Sequence, residues 1–148
     1  MKKKKIMNVF FILLPVMAVA LATTADSVTV FDAAAGKTAY YSYFSMVPDH
    51  PMQLLPPLAA ILSLAAAGAA AFALAKKEEL VAAVKWLSIA ASIAAVMPLL
   101  RRTGDVLMVP NAILPLLMMA EYVLAYAKEK MSAKEESGKK QKKAPRLR

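Results

Sequence analysis

Four apolar runs, residues 6–25, 54–75, 80–100 and 106–127, dominate this chain of 148 residues, and each is 20 to 22 residues long. A helix rises 1.5 Å per residue, so about 20 apolar residues cross the ~30 Å hydrocarbon core of a bilayer. A water-soluble domain of this size has no use for four such runs, and none carries the charged face of an amphipathic surface helix. Hydrophobic residues make up 59% of the chain, above the roughly 45–50% of soluble domains, and the excess sits in the runs. The expected fold is all-α integral membrane: a four-helix transmembrane bundle over residues 1–127, followed by a basic tail over 128–148.

The connectors 76–79 and 101–105 are short, which forces antiparallel neighbours. Residues 26–53 form the sizeable loop. Within it, Ser27-Val28-Thr29-Val30-Phe31 and Thr38-Ala39-Tyr40-Tyr41-Ser42-Tyr43-Phe44 are β-branched and aromatic, with Gly36 between them. This pattern predicts a short extracytoplasmic β-hairpin between helices 1 and 2, lying on the outer helix ends with its tyrosines at headgroup level.

The net charge of +9 is unevenly spread. Lys2–Lys5 carry +4, the tail +6, and the loop 26–53 carries −2. With the N-terminus inside, fifteen basic residues lie on the inner side and Lys37, Arg101 and Arg102 on the outer. The positive-inside rule then puts both termini in the cytoplasm of a multi-pass plasma-membrane protein. The lysine-rich start and the composition are those of a small bacterial membrane protein. The first run also has the outline of a secretory signal, ending in Ala20-Leu21-Ala22. Its apolar stretch exceeds the usual 7–15 residues, so a retained span is favoured.

Ionisable residues inside apolar spans are costly and rare, which singles out Lys85 and Glu121. Each is 18 residues from Thr103, in opposite directions along the chain. In an antiparallel hairpin both reach about 27 Å from the turn. An interhelical ion pair and separate snorkelling to the headgroups are evenly matched readings, and a proton relay at Glu121 is a weaker third. Trp86, Tyr122 and Tyr126 fall at the same inner level, where amphipathic rings favour the interface.

Small residues recur every four positions in the second run at Ala59, Ser63, Ala67, Ala71 and Ala75, with Gly68 alongside. Ser88 and Ser92 offer a matching surface in the third. Such stripes let helix backbones approach closely, here expected to serve packing within the hairpin, with a dimer or partner interface as the sharper alternative. Pro56 and Pro57 fall in a first helical turn, where the missing N–H costs nothing. Pro15, Pro98, Pro110 and Pro115 lie deeper and are expected to kink or break helices. The fourth helix can begin as late as Pro110. Broken helices beside Asn111 are also a transporter feature. His50, in Pro48-Asp49-His50-Pro51, reads as loop chemistry leading into the second span.

The tail is expected to extend the fourth helix to about Glu136, with Gly138 as a stop and no fold beyond it. Lys139, Lys140, Lys142, Lys143, Arg146 and Arg148 are expected to contact anionic lipid headgroups; RNA or an acidic protein are lesser alternatives, and no nucleic acid partner is expected. There is no cysteine and one histidine, so thiolate zinc, iron–sulfur and multi-histidine sites within one chain are excluded. No nucleotide loop, nucleophile elbow or paired-carboxylate motif is present. No catalytic residue, cofactor or metal is expected. The sequence supports a non-catalytic component that assembles with itself or within a larger membrane complex, with a subunit of a small transporter or channel as the alternative.

Overall fold

The computed structural model describes residues 2–48, 50–75, 79–100 and 104–143. Each apolar run carries a helix: α1 (Lys2–Ala22), α2 (Leu55–Ala75), α3 (Leu80–Val96, continued by a 3-10 turn at Met97–Leu100) and α4 (Ile113–Lys143). Three of these segments, Lys3–Ala22, Leu55–Ala75 and Leu80–Leu100, are long and apolar enough to cross a membrane. The apolar part of α4, from Ile113 to Ala127, has 15 residues, about 22 Å of helix. The fourth span expected at 106–127 is therefore shorter than its sequence run.

Five of the seven residues by which it falls short form a strand. Residues 106–110 form β3 (Val106–Pro110), which pairs antiparallel with β1 (Val28–Asp32), while β1 pairs on its other edge with β2 (Lys37–Tyr41). The order β2-β1-β3 turns the expected hairpin into a three-stranded sheet. Two physical reasons favour the strand. Pro110 disfavours helical backbone in the residue before it, and the apolar run Val-Leu-Met-Val suits a pleated surface. Pro110 then ends the strand. Asn111 starts the helix, its side-chain Oδ1 accepting the Ile113 N–H at 2.9 Å. The β1–β2 turn is closed by the Asp32 carboxylate, which accepts the Ala35 N–H at 3.0 Å, and by Gly36 at φ +61°.

The helices form a ring in chain order, α1 against α2 and α4, and α3 against α2 and α4. Lys4 pairs with Glu135, and Lys128 donates to Asn8 at 2.6 Å. The start of α1 and the later turns of α4 thus meet at the end of the bundle opposite the sheet. Each helix faces inward along a seam that alternates three and four residues: 11–15–18–22, 56–59–63–66–70–73, 81–84–88–91–95 and 114–118–121–125. This spacing averages the 3.5 residues of left-handed bundle packing.

The seams are built from small side chains. Ala59, Ala60, Ser63, Ala66, Ala70 and Ala73 are buried on α2, and Ser88, Ala91, Ser92, Ala94 and Ala95 on α3. The large apolar side chains face out, among them Phe10, Leu13, Val16, Leu58, Ile61, Leu64, Phe72, Ile93, Leu116 and Val123. Water-soluble domains bury residues of this kind.

α4 continues past Gly138 to Lys143 rather than stopping near Glu136. Nothing crowds this glycine, so it costs only its ordinary ~1 kcal/mol of helix propensity. Glu135, one turn before Lys139 and paired with Lys4, anchors this stretch; the Lys4 hydrogen bond, then its charge, holds the Glu135 carboxyl below the usual carboxylate range.

Tyr43 departs from the expected headgroup position. It is fully buried and is the largest buried side chain, whereas Tyr40 remains exposed. Its hydroxyl donates to the Asn111 carbonyl at 2.9 Å, and its N–H reaches the Ala22 carbonyl and the Ser27 Oγ at 3.1 Å each. Burial pushes the phenol well above its ordinary range. Asn111 N–H in turn donates to the Ser27 carbonyl at 2.7 Å. Ser27, Tyr43 and Asn111 thus knot together the end of α1, the hairpin and the start of α4. Tyr43→Phe is expected to lower stability by about 1–2 kcal/mol through the unpaired carbonyl. Tyr43→Ala should cost about 3–5 kcal/mol through the cavity. Denaturation monitored by tyrosine and tryptophan fluorescence checks both, and equal losses in the two variants would exclude the hydroxyl's role.

Candidate functional site

Of the two evenly matched readings of Lys85 and Glu121, the ion pair is not made. Lys85 Nζ instead bonds the Glu129 carboxylate at 2.5 Å and lies 5.4 Å from the centre of the Trp86 ring. The depth match was sound, but the lysine stem reaches toward the end of the bundle opposite the sheet, where half-exposed Glu129, two turns further along α4, offers a better-solvated partner. Sequence counting had assigned Glu129 to the tail. The direction in which a lysine snorkels was the signal that points to it.

Glu121 is left at 0% exposure, and neither carboxylate oxygen has a hydrogen-bond partner among the described residues. Its place follows from the seam of α4, where it stands between Met118 and Ala125. Seven residues up each helix from the Asn8–Lys128 bond lie Pro15 and Glu121. On the other side, Ser92 Oγ donates to the Pro115 carbonyl at 3.1 Å. Six residues down α3 and α4 from that contact, Glu121 sits at the level of Trp86, between buried Val84 and Ser88. Ser88 is also fully buried, and its Oγ also has no partner among the described residues.

This polar level divides the core. One cluster of buried apolar residues extends from the sheet down to Ala18, Ala66, Ala91 and Met118. A second, smaller one is built from Phe11, Ala70, Ala73, Val81, Val84 and Ala125. Glu121, Ser88 and Pro15 lie between the two.

The small-residue stripe is split by geometry. Ala59, Ser63, Ser88 and Ser92 are buried, Ala67 is half-buried, and Ala71 and Ala75 are exposed together with Gly68. A four-residue step turns a helix by 400°, about 40° beyond a full turn, so four steps carry Ala75 about 160° away from Ala59. A seam that stays inward must alternate threes and fours, and does so through Ala66, Ala70 and Ala73. Ser63 Oγ donates to its own Ala59 carbonyl at 2.8 Å.

The remaining candidates are structural or peripheral. Pro98 lies in the 3-10 turn and Pro115 in the first turn of α4. Asn111 is consumed in the knot and the helix cap. Trp86 and Tyr126 project outward, Tyr126 beneath Lys130 at 4.8 Å. Lys139 is exposed on α4; the side chains of Lys140, Lys142 and Lys143, and all of Arg146 and Arg148, lie outside the described residues, as do Lys76, Lys77, Arg101, Arg102, Thr103 and Asp49. Among the described residues no three Asp, Glu or His side chains converge on a metal-sized space. The chain matches no protein-family model, no curated protein and no solved structure.

His50 is buried beside α2, its Nδ1 accepting the Met52 N–H at 3.2 Å while Nε2 has no partner among the described residues. Burial lowers its pKa from the ordinary 6.5. The unfolded chain therefore takes up a proton at higher pH than the folded one, so His50 favours the fold above about pH 6.5, and this contribution falls as pH drops toward the folded value. Melting temperature measured against pH should decline below about 6.5 in the native protein and decline less in His50→Gln. Parallel profiles would assign the acid sensitivity elsewhere.

Proposed function

We propose that this protein is a multi-pass plasma-membrane protein with four spans and both termini cytoplasmic, serving as a non-catalytic assembly component. The observation that carries the membrane reading is the inverted bundle: alanine and serine inside, leucine, isoleucine and phenylalanine outside. Lipid solvates large apolar side chains as well as a protein core does, so packing of small residues is left to hold helices together. α4 completes its crossing through the outer sheet and the aromatic level of Tyr122 and Tyr126. Retention of the first span is supported by Phe11, Pro15, Ala18 and Ala22, all fully buried. Cleavage after Ala22 would strip one wall from the core. The basic inner end suits contact with anionic headgroups, at about 1 kcal/mol per basic residue near the surface.

Assembly is supported by the part of the α2 stripe that the bundle leaves unused. Gly68, Ala71 and Ala75 form an outward face of small side chains, and a methyl group added at Gly68 meets nothing within 4 Å. Such a face admits the close approach of another helix, from a second copy or a larger complex. The transporter reading draws its support from the polar level at Glu121.

Two measurements test this. Alkaline washing should leave the protein in the membrane fraction; release into the supernatant would sink the membrane reading. Gly68→Leu/Ala71→Leu should keep native helicity and melting temperature yet lose at least tenfold in crosslinked or copurifying assemblies recovered in native-lipid particles, equivalent to about 1.4 kcal/mol. Undiminished assembly would remove the α2 face as the interface.

A further inference from the structure

A carboxyl group at 0% exposure, with no hydrogen-bond partner among the described residues, has to be held in some definite state. Three states are open to it: an ion pair, a bare carboxylate, or a neutral acid. The ion pair is not formed, because the one cationic residue of neighbouring α3, Lys85, is bonded to Glu129. No titratable residue lies on α1 between Ile6 and Ala22 or anywhere on α2. On α4, Tyr126 is exposed and Tyr122 half-buried, Glu129 is taken by Lys85, and Lys128, two turns from Glu121, donates to Asn8 and lies 5.3 Å from the centre of the Phe11 ring. A bare carboxylate with both oxygens unpaired is the costliest arrangement a low-dielectric interior offers. The neutral acid remains.

We propose that Glu121 is an intramembrane proton-binding site, with Ser88 and the Phe11 carbonyl as the groups that receive and orient its proton. Ser88 Oγ is the other buried, unpartnered oxygen at this level. Pro15 lies in α1 at the same depth. Having no N–H, it removes the helical donor that the Phe11 carbonyl would otherwise accept. A protonated carboxyl has one O–H to donate and one carbonyl oxygen to accept with, and a serine hydroxyl does both.

Release of the proton follows a balanced course. The O–H bond of the Glu121 carboxyl breaks, the proton passes to water admitted between α3 and α4, and a carboxylate remains. Lys85 starts from the same depth as Glu121. Its ammonium, keeping its own protons, can leave Glu129 for Glu121. Proton release at the centre is thereby tied to breaking the Lys85–Glu129 pair at the inner end. This assignment holds whether or not the bundle has a partner, since it depends on packing within one chain.

Infrared difference spectroscopy of the full chain in lipid nanodiscs tests it directly. A carbonyl-stretch band of a protonated carboxylic acid should be present at neutral pH. It should vanish in Glu121→Gln, which matches the neutral acid in size and is expected to keep native helicity. It should persist in Lys85→Met. A hydrophobic carbodiimide, which reacts with protonated carboxyls, should label Glu121 at neutral pH and lose at least tenfold in labelling at strongly alkaline pH. Absence of the band in the native protein together with its appearance in Lys85→Met would show an ion pair and overturn the proposal. A band unaffected by Glu121→Gln would place the proton on another residue and overturn it equally.

Discussion

Close approach of helix backbones through alanine and serine is the constraint on which this structure depends. The α2–α3 contact has almost nothing larger than alanine at its centre, so the two backbones come near enough for dispersion and weak polar contacts to accumulate. The same choice empties the core of large side chains and sends leucine, isoleucine and phenylalanine to the perimeter. In water that distribution would expose one continuous apolar belt, far beyond what a soluble monomer tolerates. In a bilayer it is simply solvation.

A core of small side chains leaves the ends of the bundle to be fastened by other means. At the sheet end the fastening is a polar knot. The Tyr43 N–H donates to Ser27 Oγ, the Asn111 N–H to the Ser27 carbonyl and the Tyr43 hydroxyl to the Asn111 carbonyl, across three separate stretches of chain. Tyr43 also fills the space that the tapering helices leave beneath the sheet. At the opposite end the fastening is charge. Lys4 with Glu135 joins α1 to α4, and Lys85 with Glu129 joins α3 to α4, where solvent is within reach. The exposed Lys4–Glu135 pair is individually weak, whereas Lys85 is largely buried against α4.

Against this background Glu121 stands apart. Every other acidic side chain of the described helices reaches the surface or a lysine. Glu121 lies at the junction of two apolar clusters, near the level of a serine whose hydroxyl has no partner among the described residues and level with a proline that interrupts the backbone ladder of α1. A purely structural bundle gains nothing from such a layer, because apolar side chains of the same volume would pack without desolvation cost. Its presence joins the assembly reading of the outer α2 face to a chemical role for the interior.

The periodic and compositional facts were legible in the chain itself: the helical runs, the short hairpin connectors, the β-branched loop segments and the unusual depth of Lys85 and Glu121. These follow from local hydropathy and counting, which need only neighbouring residues. Facing was decided by tertiary structure. The four-residue stripe had to yield to a three–four seam, because only the latter stays against a neighbouring helix. Residues 106–110 were apolar enough for a span, yet became a strand because β1 presents a free edge and Pro110 resists helix. Tyr43 moved from the interface to the core because a cavity existed there to receive it, and Lys85 passed over Glu121 because Glu129 lay within its reach. Sequence sets how deep a residue lies along its helix, through the fixed rise per residue. Which side it presents, and to whom, depends on how four helices close into a ring.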